Sequence, residues 1–244
     1  MISFFKSKPK LVDLIPAGFI DIHSHLLPGI DDGAKSIEDT SEMLLKLKSI
    51  GFEKCITTPH SLPGVWENTK EGILTTFIQT KSELPESTSE MLHITASEYM
   101  MNETFHERIQ TDELLTIKDN LVLVEMSYLN PPLALLDIIF ELKLKGYQPI
   151  LAHPERYFFY HQNQKMYKTL KELDVLFQLN LLSVVGYYGS SVAIIADRLL
   201  KENLIDFVGS DVHHMQHVNS FQNKIIIKSE KKLIEAIERN SILK

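Results

Sequence analysis

Short apolar runs alternate with longer amphipathic segments along this 244-residue chain, and six of the runs end in histidine, aspartate or glutamate. Strands are expected at residues 19–23, 54–58, 93–97, 121–125, 148–152, 175–180 and 205–209. Helices are expected between them at 37–50, 71–84, 132–146, 164–173 and 191–202. Ser36 can cap the first helix, with Asp39 three residues on and Gly51 past its end. Strands that alternate with helices pair in parallel through crossovers. About seven of them point to a closed α/β barrel, with an open doubly wound sheet as the alternative. Residues 230–240 read as a closing amphipathic helix with Leu233, Ile234 and Ile237 inward.

Residues 1–244 are expected to form a single domain, with 1–17 as an extension ahead of the first strand. Its 25 basic and 32 acidic residues give a formal charge of 25 − 32 = −7. That balance excludes the broad basic face that nucleic-acid binding requires. Cys55 is the only cysteine, so no intrachain disulfide forms and a reducing compartment is the simpler reading. No apolar run reaches the roughly 18 residues of a membrane span. The first ten residues lack a signal peptide's hydrophobic stretch and cleavage site. A cytoplasmic protein without membrane insertion is therefore expected.

In β/α barrels the chemistry sits at the C-terminal ends of the strands. His23-Ile-His25 closes the first run, and in an extended strand both imidazoles share a face. Asp31-Asp32-Gly33 follows in the next loop. Later runs end near His60, Glu98, Glu125, His153 and Asp211-Val-His213. Singly, His60 or His153 could be a hydrogen-bonded structural residue, Glu98 a surface carboxylate, and Asp31-Asp32 a turn. Glu125 is harder to dismiss, because an unpaired charge ending Leu121-Val-Leu-Val would be costly. Jointly, His23, His25, His60, His153, His213, Asp32, Glu98, Glu125 and Asp211 are too many ligands for one metal. Two or three divalent ions with a bridging carboxylate fit better. Three dications against four carboxylates leave a formal charge of about +2, which suits a phosphate dianion. Mixed imidazole and carboxylate ligands favour manganese, iron or zinc over calcium.

The stretches Asp21-Ile-His-Ser-His-Leu-Leu-Pro, Gly29-Ile-Asp-Asp-Gly-Ala-Lys, Thr57-Thr-Pro-His and Ala96-Ser-Glu-Tyr carry a resemblance. So do Leu123-Val-Glu-Met-Ser, Ala152-His-Pro-Glu-Arg-Tyr and Gly209-Ser-Asp-Val-His. From about residue 19 to 214 the chain resembles the polymerase and histidinol phosphatase (PHP) superfamily of metal-dependent phosphoesterases. Within it, the chain is most similar to the bacterial tyrosine-protein phosphatases of capsular and exopolysaccharide operons. The resemblance implies a distorted (β/α)7 TIM-like barrel, the PHP fold, with a trinuclear site and manganese as the first choice of metal. It assigns His23, His25, Glu98 and Asp211 to one ion. Glu98, Glu125 and His153 go to a second, and Asp32, His60 and His213 to a third. Arg156 matches an arginine that binds the substrate phosphate, a role suited to its fork of donors, with a salt bridge to a neighbour such as Glu155 as the alternative. A second family arginine beyond the Ser-Asp-x-His motif is missing, and His214 or His217 could donate in its place.

The activity implied is hydrolysis of phosphotyrosine on a protein by a metal-bound hydroxide. Arg156 would act as a catalytic residue, and Asp211 or His213 would protonate the leaving phenolate. The implied target is a cytoplasmic, autophosphorylating tyrosine kinase of capsule or exopolysaccharide synthesis. A small-molecule phosphatase of histidinol-phosphate type is the alternative enzyme. Nuclease action ranks behind it, and a non-catalytic metal-binding regulator is the alternative outside enzymology. A cysteine mechanism needs Cys, five residues, then Arg; the sixth residue after Cys55 is Ser61, which excludes it. Trp66 is expected either to stack on the phosphotyrosine ring or to pack on a neighbouring helix. Residues 99–120 could form a lid or an oligomer contact, and an oligomer is left open.

Overall fold

The computed structural model describes residues 7–111 and 114–243, so the first six residues of the expected N-terminal extension lie outside it. The strands are β1 Phe19–Asp21, β2 Phe52–Thr57, β3 His60–Ser61, β4 Leu92–Thr95, β5 Glu98–Met100, β6 Leu121–Glu125, β7 Gln148–Ala152, β8 Leu176–Asn180 and β9 Phe207–Gly209. They form two sheets, β1-β2-β4 and β3-β5-β6-β7-β8-β9. Every pairing is parallel.

Hydrogen bonds join the two sheets into one ring. Ala96 N–H donates to Thr57 O at 2.9 Å and Glu98 N–H to Pro59 O at 3.1 Å, so β2 continues into β3 and β4 into β5. The break falls at Pro59, which has no N–H for a ladder. At the other edge Ser24 and Val212 form a parallel bridge. There Asp211 N–H reaches His23 O at 2.8 Å and His25 N–H reaches Val212 O at 2.9 Å. The result is the expected barrel of seven strand positions, distorted where two of them are interrupted.

The helices Ile37–Ser49, Lys70–Glu83, Leu135–Leu144, Lys165–Glu172 and Ser190–Lys201 fall where the pattern placed them. Ser36 Oγ accepts from Asp39 N–H at 3.2 Å, the expected cap. The closing helix Glu230–Arg239 buries Leu233, Ala236 and Ile237, so Ala236 takes the inward place expected for Ile234. Three helices among the described residues had not been expected, the first a single turn at Glu86–Ser89. Glu103–Thr111 buries only Phe105 and Ile109, too sparse a stripe to read, and Met215–Ser220 is six residues long. No helix among the described residues is long and apolar enough to cross a membrane.

Strand alternation sets what faces the barrel interior. Leu123, Ile150 and Phe207 join Ile22, Ile56 and Ala152 in an inner cluster, while Val122, Val124, Leu151 and Val208 pack outward with the helices. Glu125 lies two residues beyond Leu123 and therefore inside. Gln178 and Asn180 follow Leu176, which packs on the inner cluster, by two and four residues. Polar side chains thus crown an apolar barrel floor.

Gly209 makes room for that crown. A Cβ there would sit 2.7 Å from both His23 Cβ and Gln178 Nε2. Gly209→Ala is expected to cost about 1–3 kcal/mol by overpacking and to push the His23 ring out of place. The checks are a lower melting temperature and weaker metal uptake; an alanine variant matching wild type in both would sink the argument.

Candidate metal centre

Glu98, at the start of β5, is the hub of the interior. Its Oε2 lies 3.2 Å from His23 Nε2, 3.4 Å from His25 Nε2 and 3.2 Å from His60 Nδ1. Its Oε1 lies 3.1 Å from His153 Nε2. Asp211 Oδ1 is 3.3 Å from His23 Nε2 and 3.4 Å from His25 Nε2. His23, His25, Glu98 and Asp211, assigned together from the sequence, thus lie together. So do Asp32, His60 and His213, with Asp32 Oδ1 3.5 Å from the Nε2 of each histidine. The set Glu98, Glu125 and His153 is divided. Glu125 Oε1 lies 2.9 Å from His60 Nδ1, and the compact group is His60, Glu98 and Glu125. His23, Glu98 and His153 form another.

His153 reaches this centre by a backbone device. It follows inward-facing Ala152, so strict alternation would send its imidazole outward. Its backbone is left-handed, with φ at 35°, and the ring turns in beside Glu98.

A further layer of residues orients the imidazoles. His25 Nδ1 lies 2.8 Å from Asp31 Oδ2, and His23 Nδ1 lies 2.8 Å from Gln178 Oε1. With Nδ1–H donating to these oxygens, each Nε2 lone pair is left facing the cluster. Asp31 also accepts from Gly33 N–H at 2.9 Å and His60 N–H at 3.2 Å. The sequence showed Asp31 only as part of a turn and gave Gln178 no role; the inward alternation after Leu176 was the available signal. Asp31→Asn is expected to weaken metal affinity by about 10- to 100-fold with the fold retained. Metal titration against circular dichroism checks this, and unchanged affinity would refute it.

Burial and mutual charge set the protonation states. Burial opposes ionisation of Glu98, yet His23 and His60 hold its carboxyl well below the usual range. Burial and the Glu98 carboxylate push Glu125 up. Burial and His25 oppose a proton on His60, but Glu98 and Glu125 outweigh them and raise it to about 9. Burial and Arg156 lower His153 to about 4, leaving it neutral at pH 7. A raised histidine pKa stabilises the fold fully below the unfolded value and loses that contribution as pH passes the folded value. Chelator-treated protein is therefore expected to melt at lower temperature as pH rises from 6.5 to about 9. Metal-loaded protein should show a flatter profile, because metal takes neutral imidazoles. Parallel melting series check both, and a metal-free profile that rises over this window would contradict the assignment.

The donor chemistry fits divalent transition metal. Five imidazoles and four carboxylates converge in groups whose ligand atoms lie within 4.8 Å of one another. Such crowding of lone pairs calls for cations between them. Asp32 is 55% exposed and marks the mouth.

Arg156 stands at the edge of the cluster. Its Nη1 donates to Asp211 Oδ2 at 2.8 Å, and Asn180 Nδ2 donates to the same oxygen at 2.7 Å. Asp211 therefore turns Oδ1 to the imidazoles and Oδ2 to the guanidinium. The guanidinium carbon lies 4.1 Å from the Tyr188 ring centroid and 4.8 Å from that of Tyr128. His214 is exposed and lines a cavity of about 170 Å³ with Asp32 and His213. His217 is buried, and its Nδ1 accepts from His213 N–H at 3.2 Å. Trp66 lines a separate groove of about 640 Å³ whose lining includes none of the nine ligand candidates. Asn68, also in that groove, donates to His60 O at 2.8 Å.

The sequence profile of a family described as capsular polysaccharide synthesis, CpsB/CapC, matches residues 19–242. The chain is similar to the tyrosine-protein phosphatase YwqE of Bacillus subtilis (strain 168), at 29% identity over 213 residues, 87% of this chain and 84% of that protein. Its identity to the tyrosine-protein phosphatase CpsB of Streptococcus pneumoniae is 26% over 202 residues, 80% of this chain and 83% of the other. A crystal structure from work on YwqE and CpsB as metal-dependent tyrosine phosphatases aligns with a TM-score of 0.75 at 28% identity. That alignment covers 92% of this chain and 89% of the other.

Proposed function

The chain belongs to the capsular polysaccharide synthesis family CpsB/CapC, and from that premise we propose that it hydrolyses phosphotyrosine on proteins with divalent metal held at the barrel mouth. The observation that carries this reading is the convergence of five histidines and four carboxylates from the strand ends. We assign His23, His25, Glu98 and Asp211 to one ion and Asp32, His60 and His213 to another. Glu98 and Glu125 hold the third, with His153 completing it and His60 alongside. Manganese suits this donor set, with iron or zinc as alternatives.

When bound, the metal lowers the pKa of a water and draws charge from phosphoryl oxygens. The protein's own groups do the rest. Arg156, anchored by Asp211 and flanked by two rings, offers its remaining N–H donors to the phosphate. Asp31 and Gln178 hold the His25 and His23 rings in one tautomer. Protonating the departing oxygen is the lesser demand, because phenolate leaves readily. Of Asp211 and His213, the less buried His213 is the one the mouth exposes.

The partner proposed is a cytoplasmic tyrosine kinase of capsule or exopolysaccharide synthesis, acting as substrate. Phosphate release from a phosphotyrosine peptide by manganese-loaded protein, with histidinol phosphate in parallel, tests the reading. Peptide turnover that chelator abolishes is expected. Turnover of histidinol phosphate alone would replace the protein substrate with a small molecule, and turnover of neither would overturn the phosphatase.

A further inference from the structure

Tyr128 follows Glu125 by three residues and borders the metal centre. Its ring lies 5.8 Å from the His153 ring with an interplanar angle of 27°. The buried Tyr157 ring stands 5.9 Å from it, and the Arg156 guanidinium carbon is 4.8 Å from its centroid. Three neighbours therefore fix this ring, yet Tyr128 remains 42% exposed. Tyr188 also flanks Arg156, but it is more enclosed, and its hydroxyl accepts from Asn180 at 3.1 Å.

A phosphate taken by Arg156 beside the ligand groups has its inner side occupied by those donors. Its ester substituent must point outward, past the partly exposed Tyr128 next to Arg156. An aryl group in that position meets a π face already held in place, and an offset or edge-on pair costs little ordering. An alkyl ester presents no such face and gains nothing specific from the ring.

We propose that Tyr128 is a substrate-recognition residue that stacks on the aromatic ring of the scissile phosphomonoester and so selects aryl over alkyl phosphates. The inference rests on the phosphatase reading and adds the residue that sets its substrate class. It places ring recognition at the end of β6, beside Arg156, and not in the groove that Trp66 lines.

The test compares metal-loaded wild type with Tyr128→Leu and Tyr128→Phe, after metal content is shown to be equal. Two readouts are taken: kcat/KM for phenyl phosphate and β-glycerophosphate, and calorimetric affinity for phenylphosphonate and methylphosphonate. In Tyr128→Leu, both phenyl values are expected to fall by roughly three- to tenfold, with the alkyl values held within about twofold. Tyr128→Phe should restore the phenyl values. Equal losses for aryl and alkyl ligands would overturn the proposal and leave Tyr128 as mere support for Arg156 and His153. No loss in either would overturn it too. If wild type cleaves neither ester, the phosphatase reading fails, while the phosphonate pair still decides whether Tyr128 recognises an aryl group.

Discussion

Glu98→Gln is expected to reduce turnover of a phosphotyrosine peptide by well over the roughly 10- to 100-fold that loss of an outer partner costs a metal site, and to remove at least one metal ion per chain. The reason is geometric. One carboxylate lies within 3.4 Å of four imidazoles, three on Oε2 and one on Oε1. No other ligand candidate touches both His153, on the β7 side, and His60, on the β2 side. Glutamine keeps the volume but removes the negative charge and turns one acceptor into a donor aimed at imidazole nitrogens. Metal analysis beside kcat/KM distinguishes two failures. Full metal content with lost activity would mean that Glu98 serves catalysis without bridging ions. Full activity would remove it from the centre altogether.

Glu125 was legible because a charge ending Leu121-Val-Leu-Val has no cheap structural explanation, and the structure buries it to 3% exposure. His23 and His25 were legible as an i, i+2 pair on an extended strand. Glu98 stood out less, because β4 breaks before it and β5 restarts at that residue, so no continuous apolar run points to it. The same interruption at Thr58-Pro59 disguised the short β3 that carries His60. Local patterning registers strands, but a barrel distorted by two interruptions is completed by hydrogen bonds between residues far apart in the chain.

The orienting residues were hidden for another reason. Gln178 and Asn180 are uncharged and sit in a run, Leu176–Asn180, that reads as an ordinary buried strand. Their role follows only from which face turns inward, and a one-residue change in register would reverse it. His153 breaks alternation through its left-handed backbone, a feature that the histidine before a proline does not announce. The ligand candidates were therefore legible in composition at strand ends. Their assignment to individual ions came from the family resemblance and not from composition, and His23, His25, His60 and Glu98 each belong to more than one compact group.

Arg156→Lys is expected to leave metal content unchanged and to lower kcat/KM for the phosphotyrosine peptide by about 100-fold, the scale of losing one aligned donor to a reacting oxyanion. The guanidinium is held by a 2.8 Å bond to Asp211 and lies between two aromatic rings, with 19% of the side chain exposed. A planar cation can stack on both rings, bond Asp211 at one edge and keep donors free at another. Lysine has the charge but not the plane or the fork, so the ammonium must choose between Asp211 and the phosphate. The loss should fall on kcat as well as KM, because charge on the phosphoryl oxygens shifts as the bond to the leaving group breaks. Inhibition by inorganic phosphate should weaken in step. Asn180, which donates to the same Asp211 oxygen at 2.7 Å, keeps that carboxylate in place in the variant, so metal content is the control. Lost metal with Arg156→Lys would recast the arginine as a support for Asp211, and retained activity would deny it the phosphate.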